Sequence, residues 1–309
     1  MKVLVTAATG YLGRAVAQRL QSAGHHVSAM ARSEVSLRAV TAAGFQPVRG
    51  DLTDPLSVRA AVAEVDAVIE TAAADNESAT EILMEAVTGT AKRYVRTSGT
   101  SVFTELSGGE SSDTVHAEDP AFEPIPPVQH RFSLDRRVVA AAASGTHTVV
   151  LRPGMIYGGG GSEQLPVLLR AAMRDRVSRY MGSGLNRYPN VFLDDVAQAY
   201  VLAVESAPAG GEYNIAADEA TMREIAEGIA QVLGLEPAVS ATMEEMSEAI
   251  GLLYALGLSS NARVDASKIR AELGWTPQGP SLFDDLVHGS YQKVWGHREV
   301  SLQTGDVSR

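Results

Sequence analysis

Lys2-Val3-Leu4-Val5-Thr6-Ala7-Ala8-Thr9-Gly10-Tyr11-Leu12-Gly13-Arg14 opens the chain. A short apolar strand (Lys2–Thr6) runs into a glycine-bearing turn and then a helix with apolar positions Val16, Leu20 and Ala23. This order aims backbone N–H groups at a helix N-terminus, where they attract a pyrophosphate. Gly13 would let the helix pack close to the strand, and Gly10 would let the backbone approach phosphate oxygens. A glycine pattern alone is weak, but its place between an apolar strand and an amphipathic helix gives it weight. Ala7 stands where the first glycine is usual, and it suits the turn as long as its φ stays negative.

Outward from this stretch the elements alternate. His26–Ala31 reads as a second strand, Ser33–Ala43 as a helix, and the surroundings of Phe45–Val48 as a third strand. Thr53 or Asp54 caps the next helix, with Pro55 in its first position. Asp66–Glu70 is strand four, Asn76–Ala86 a helix and Arg93–Ser98 strand five. Residues 104–129 read as a long loop rich in Gly, Ser, Pro and acids, a length usually functional or disordered. A helix over Phe132–Ala143 leads to the strand Thr146–Leu151, then Arg152-Pro153-Gly154 and the glycine run Gly158–Gly161. Beyond it, Leu165–Met173, Asp194–Ser206, Thr221–Leu233, Glu244–Leu258 and Ala266–Leu273 read as helices, and Tyr188–Phe192 and Tyr213–Ile215 as strands. Thr221 and Glu224 form a capping box.

The pattern predicts an α/β fold: a Rossmann-type doubly wound parallel sheet with a smaller C-terminal α/β substrate-binding subdomain. Residues 1–155, joined by 190–217, would make the nucleotide-binding domain. Residues 156–189 and 218–300 would make the substrate subdomain, and 301–309 a frayed tail.

Composition narrows the function. The 309 residues include no cysteine, which excludes disulfides, thiolate metal sites and a cysteine nucleophile. The seven histidines show no ligand spacing, so no metal is expected. A net charge of -11 argues against nucleic-acid binding. The sequence has no long apolar run to span a membrane, and a strand starting at Lys2 leaves no room for a signal peptide. A cytoplasmic protein acting on a small molecule is the expectation.

The second strand ends Met30-Ala31-Arg32-Ser33, without the acid that bonds the ribose 2′-OH in an NAD site. Arg32 can instead pair with a 2′-phosphate, with Arg14 as a second cation and Ser33 as a hydroxyl. NADP is therefore favoured over NAD, and NADPH over NADH. Asp51, in Gly50-Asp51-Leu52 at the end of strand three, either accepts from the adenine amino group or caps the following helix.

The blocks Thr6–Gly13, Gly50–Leu52, Thr97–Gly99, Leu151–Gly154 through Tyr157-Gly158, Asn186–Pro189, Asp194–Ala197 and Glu272–Pro277 together resemble the extended and atypical short-chain dehydrogenases/reductases, in the NAD-dependent epimerase/dehydratase group. The resemblance implies cofactor contacts at Ala7, Thr9, Gly10, Tyr11, Leu12, Gly13, Leu52, Ala72, Pro153 and Gly154. It also implies strand-five hydroxyls (Thr97, Ser98, Thr100) that bond the substrate oxygen, a tyrosine that donates a proton, and a lysine four residues on that lowers the tyrosine pKa.

The last two are missing. No lysine lies between Lys92 and Lys268, and the Tyr-x-x-x-Lys pair would fall within His130–Asp135. Aligning Arg131 with the tyrosine puts Asp135 at the lysine; aligning His130 puts Leu134 there. Arg131 cannot give up a proton near neutral pH, whereas a histidine titrates at about 6.5. His130, Tyr157, Ser98 and Thr100 are the candidate replacement acids, and Arg131, Arg187 and Tyr188 the candidate substrate contacts. Three readings stay open: an NADP(H)-dependent oxidoreductase acting on a carbonyl, imine or activated enone; a non-redox isomerase or lyase; and an NADP(H)-sensing protein without turnover. The helices Asn76–Ala86 and Phe132–Ala143 are candidates for a homodimer contact.

Overall fold

Alternation along short strands builds two buried faces. The computed structural model describes residues 1–72, 74–119 and 121–296. The first half contains β1 (Lys2–Val5), α1 (Tyr11–Ser22), β2 (His26–Ala31), α2 (Glu34–Ala42), β3 (Gln46–Arg49), α3 (Pro55–Ala63), β4 (Ala67–Glu70), α4 (Glu77–Val87), β5 (Arg93–Thr97), β6 (Glu105–Leu106), α5 (Pro126–Ala140) and β7 (His147–Pro153). Next come β8 (Met155–Tyr157), α6 (Leu165–Asp175), β9 (Arg179–Met181), β10 (Arg187–Phe192), α7 (Leu193–Ser206), β11 (Gly211–Ile215), β12 (Asp218–Thr221) and α8 (Met222–Leu233). The last are β13 (Val239–Ala241), α9 (Met243–Ile250), α10 (Leu252–Leu258), β14 (Ser260–Asn261), α11 (Ser267–Leu273), α12 (Leu282–His288) and α13 (Ser290–Trp295).

Seven strands form one sheet in the order β11-β7-β5-β4-β1-β2-β3, every neighbouring pair parallel. Val3, Val5, Ala67, Ile69, Val95, Val149 and Leu151 face a core shared with α1 and α7. Their neighbours Leu4, Val68, Tyr94 and Val150 face the opposite core, shared with α3, α4 and α5. Burial on both faces is what a parallel sheet between two helix layers requires. The strand order reverses direction at β1 and β4, so a crevice opens there at the carboxyl ends.

A three-stranded sheet, β12-β10-β8, packs with α6, α8, α12 and α13 around a separate apolar cluster that includes Tyr157, Leu169, Ile225, Leu286 and Tyr291. Two short ladders, β13-β9 and β14-β6, complete the described strands.

Three local expectations change. The loop after β5 ends early, because Pro126 and Pro127 open α5 instead of preceding it. Proline suits the first helical turn, where its missing N–H has no intrahelical partner to lose. Inside that loop β6 pairs with β14, and His116 stacks on Phe103 at 5.4 Å. The expected single helix Glu244–Leu258 is two, broken at Gly251 with φ +86°. By contrast Asp54 caps α3, and the Thr221/Glu224 capping box forms. Residues 301–309 lie outside the described residues.

Candidate active site

The turn after β1 is built by close approach. The Gly10 N–H donates to the Ala7 carbonyl at 2.9 Å. A Cβ on Gly13 would sit 2.4 Å from the Ala7 oxygen and 2.6 Å from Thr71 Oγ1, distances no side chain tolerates. Gly13 therefore lets α1 lie against the ends of β1 and β4. Ala7 corrects an expectation: its φ is +48°, not negative. An L-residue there carries a cost of about 1–2 kcal/mol that glycine avoids. The Tyr11 hydroxyl donates to the Gly158 carbonyl at 2.9 Å, so the glycine run is tied to the head of α1.

A cleft of about 520 Å³ at the carboxyl ends of β1–β4 brings Ala7, Thr9, Arg32, Asp51, Leu52 and Ala72 together. That is within the range of small-molecule sites, roughly 300–1,000 Å³. Arg32 and Arg14 are exposed. Glu34, the first acid after β2, is paired with Arg49. Ser33 is spent differently from expectation: its hydroxyl accepts from the Ser36 N–H at 3.1 Å as the N-cap of α2. Asp51 does not cap α3, a task Asp54 performs. The Asp51 carboxylate accepts from the Thr53 N–H (2.9 Å) and hydroxyl (2.8 Å). Those bonds, with the Arg32 charge nearby, hold its carboxyl below the usual carboxylate range.

At the carboxyl ends of β5 and β7 the site is rebuilt. On the face toward α4 and α5, three strands follow an apolar residue two positions later with a charge: Val68 by Glu70, Tyr94 by Arg96, Val150 by Arg152. Asp135 descends from α5 between the two arginines. Arg96 Nε donates to one of its oxygens at 3.0 Å and Arg152 Nε to the other at 2.9 Å. Arg96 also pairs with Glu70 (3.4 Å), and Arg152 with Glu212 (2.9 Å), which Arg136 contacts at 2.7 Å. Three carboxylates thus meet three guanidiniums. Burial alone would lower both arginine pKa values, but Asp135, Glu70 and Glu212 more than offset it, so both stay charged. Burial pushes the Glu70 carboxyl up against the pull of Arg96. Asp135 therefore faces inward to two cations of its own.

Arg131, on the same helix, is partly exposed and has other partners. Its Nε and Nη2 grip both oxygens of Asp75, and its Nη1 donates to Ser101 Oγ. His130 Nε2 lies 2.8 Å from Asp75 Oδ1. The Arg131 bonds, opposed by partial burial, hold the Asp75 carboxyl below its usual range. A Cβ placed on Gly99 would lie 3.7 Å from Arg131 Nη1, 3.7 Å from Ser101 Oγ and 3.8 Å from the Pro153 carbonyl. These are ordinary van der Waals distances, so Arg131 and Ser101 pack beside the backbone at the end of β5.

The other expected residues are dispersed. Ser98 is 6 % exposed, and its Oγ has no partner among the described residues; Thr100 is 2 % exposed. Thr97 Oγ1 meets the Tyr200 hydroxyl at 2.6 Å. Tyr157 is corrected as an acid: its hydroxyl donates to the Pro280 carbonyl at 2.6 Å inside the second core, where burial pushes the phenol well above its usual range. Tyr188 is buried, and burial pushes its phenol above the usual range. Arg187 is partly exposed, and its backbone N–H donates to Asn261. Gly154 is fixed by packing, since a Cβ would lie 2.4 Å from the Pro189 carbonyl.

Sequence reasoning missed Asp75 and Ser101. Asp75 adjoins Asn76, the N-cap of α4, and reads as part of a polar helix start. Ser101 lies beyond the strand-five block, in a 3-10 turn (Thr100–Phe103).

The profile of the NAD dependent epimerase/dehydratase family matches residues 3–216. The chain belongs to this family. It is 31% identical over 304 residues to the uncharacterized protein C2A9.02 of Schizosaccharomyces pombe, covering 94% of this chain and 100% of that one. It is 34% identical over 257 residues to a 2-alkyl-3-oxoalkanoate reductase of Stenotrophomonas maltophilia, covering 76% of each. A dTDP-glucose 4,6-dehydratase from Bacillus anthracis, solved in complex with NAD, superposes with a TM-score of 0.74 at 18% identity, covering 94% of this chain and 96% of that one. At that identity the likeness is one of fold. Among the described residues no group of three or more His, Asp or Glu is placed to hold a metal ion, and no helix is long and apolar enough to cross a membrane.

Proposed function

We propose that the protein is an NADP(H)-dependent oxidoreductase that reduces a carbonyl, imine or activated enone of a small organic molecule. The observation that carries this reading is the cradle: Gly13 admits no side chain, and the cleft beside it ends in Arg32 with no free acid after β2. The N-terminal turn of α1, from Gly10 to Gly13, would hold the pyrophosphate. Arg32, with Arg14, would take the 2′-phosphate, and Asp51 and Leu52 would border the adenine. Ala72, Pro153 and Gly154 would border the nicotinamide end. The unpartnered buried Ser98 Oγ at the end of β5 is a further group a ligand could satisfy.

When bound, the cofactor supplies hydride. The protein's own part is binding, orientation and charge. With no lysine available, Arg131 supplies positive charge at the end of β5, where a reduced substrate develops negative charge. The likeness to a 2-alkyl-3-oxoalkanoate reductase supports a keto substrate.

The test is NADPH consumption, followed by absorbance, with ethyl 2-methylacetoacetate, 2-cyclohexenone and a cyclic imine. Oxidation of NADPH that depends on one of these probes is the expected result. Tight NADPH binding with no oxidation on any probe class would move the assignment to a cofactor sensor.

A further inference from the structure

We propose that Ser101 donates its hydroxyl proton to the substrate oxygen, with Arg131 and Asp75 as its positioning residues. This rests on the oxidoreductase reading and names the group that takes the place of the missing tyrosine.

Hydrogen-bond arithmetic carries the inference. A guanidinium has donors only. In the bond between Arg131 Nη1 and Ser101 Oγ the serine oxygen must therefore be the acceptor. The single Ser101 O–H is left free to point elsewhere, and a cation beside the oxygen makes that hydrogen a better donor. Arg131 is not free to swing away, because Asp75 grips its Nε and Nη2. The serine is anchored as well: the Thr104 hydroxyl donates to its carbonyl at 2.6 Å.

Position selects Ser101 over its neighbours. Ser98 and Thr100 are buried, at 6 % and 2 % exposure, while Ser101 is partly exposed. Ser101 Oγ and Arg131 Nη1 both lie 3.7 Å from where a Cβ on Gly99 would be, so the two donors stand side by side at the end of β5. The alternative acids are occupied: His130 Nε2 is on Asp75, and the Tyr157 hydroxyl is on the Pro280 carbonyl.

The step balances simply. With hydride supplied to the substrate carbon by the bound cofactor, which would be oxidised by two electrons, the C=O π pair would move to oxygen. That oxygen forms a bond to the Ser101 proton as the serine O–H breaks. The serine oxygen, beside Arg131, regains a proton from water.

A binding experiment tests this without turnover. 4-Nitrophenol is titrated into the protein with NADP+, at a pH where the free probe is mostly neutral, and its absorbance reports whether it binds as phenolate. The expected result is phenolate binding that weakens about tenfold or more in Ser101→Ala and is retained in Ser101→Thr. In Arg131→Lys the bound probe should shift toward the neutral phenol. Thermal melts of each variant separate these effects from misfolding. Where a substrate is turned over, Ser101→Ala should lower kcat by about 10²–10³-fold. Unchanged phenolate affinity in a folded Ser101→Ala variant, or no phenolate bound by the unaltered protein, overturns the proposal. Serine-dependent phenolate binding without NADPH oxidation on any probe would support the donor pair and overturn the oxidoreductase reading instead.

Discussion

The two ends of the crevice were altered in different ways. At the cradle one position departs from the family pattern, Ala7 for glycine, and the turn survives by holding alanine at φ +48°. At the ends of β5 and β7 the departure spreads over several elements. Asp135 falls at the lysine position if Arg131 is aligned with the tyrosine, and Arg96, Arg152, Glu70 and Glu212 close around it. The contrast follows from what each end requires. Phosphate binding uses backbone N–H groups, so it needs only the path of the chain. Chemistry uses side chains, and a buried charge cannot change sign alone without leaving its partners unpaired.

The sharpest way to break this contrast is to place a lysine at Asp135. Asp135→Lys would put a third cation between Arg96 and Arg152. It should destabilise the fold beyond the about 3–5 kcal/mol expected when a buried pair loses one partner, as in Asp135→Ala. Urea unfolding of both variants checks this. A stable Asp135→Lys protein with improved carbonyl reduction would mean that the network is dispensable.

Next in size is Gly13→Ala, which forces a Cβ against the Ala7 carbonyl and Thr71. Overpacking of this kind costs about 1–3 kcal/mol, and NADPH affinity should fall with it, as read by melting temperature and cofactor titration. Arg32→Ala should weaken NADPH by about 1.5–3 kcal/mol, the value of a hydrogen bond to a charged group, and leave NADH binding unchanged. Ala7→Gly should act the other way, stabilising the protein by up to about 1–2 kcal/mol through relief of the positive φ, less what the more flexible unfolded chain takes back.

The smallest effect belongs to Asp75. Its folded pKa lies below the ordinary value, chiefly through Arg131, so its contribution is present above about pH 4 and lost as pH falls through the lowered folded value. The difference in urea midpoint between the unaltered protein and Asp75→Asn should be flat at higher pH and shrink below about pH 4. A difference that grew on acidification would contradict the pairing.

The same contrast explains what the sequence disclosed. The parallel sheet was legible because its strands are short apolar runs spaced by helices, and the cradle because Gly10 and Gly13 answer a backbone need. The charged residues inside strands carried a signal that was passed over: Glu70, Arg96 and Arg152 each sit two positions after a residue of the core facing α4 and α5. In a sheet buried on both faces, such positions must find partners. Their mutual pairing, and the meeting of Asp75, Arg131 and Ser101, depend on β4, β5, α5 and β7 converging in space. No sequence period records that. Tyr157 misled for the opposite reason: a tyrosine next to the glycine run looks available, yet β8 carries it into the second core.

The measurement to make first is a parallel titration of the purified protein with NADPH and NADH, followed by cofactor fluorescence or heat. An intact cradle with Arg32 at its end predicts NADPH binding at least about tenfold tighter than NADH, a difference of about 1.4 kcal/mol. Equal affinities, or a preference for NADH, would contradict the reading of Arg32. Binding of neither would mean that the strained Ala7 turn no longer holds a dinucleotide.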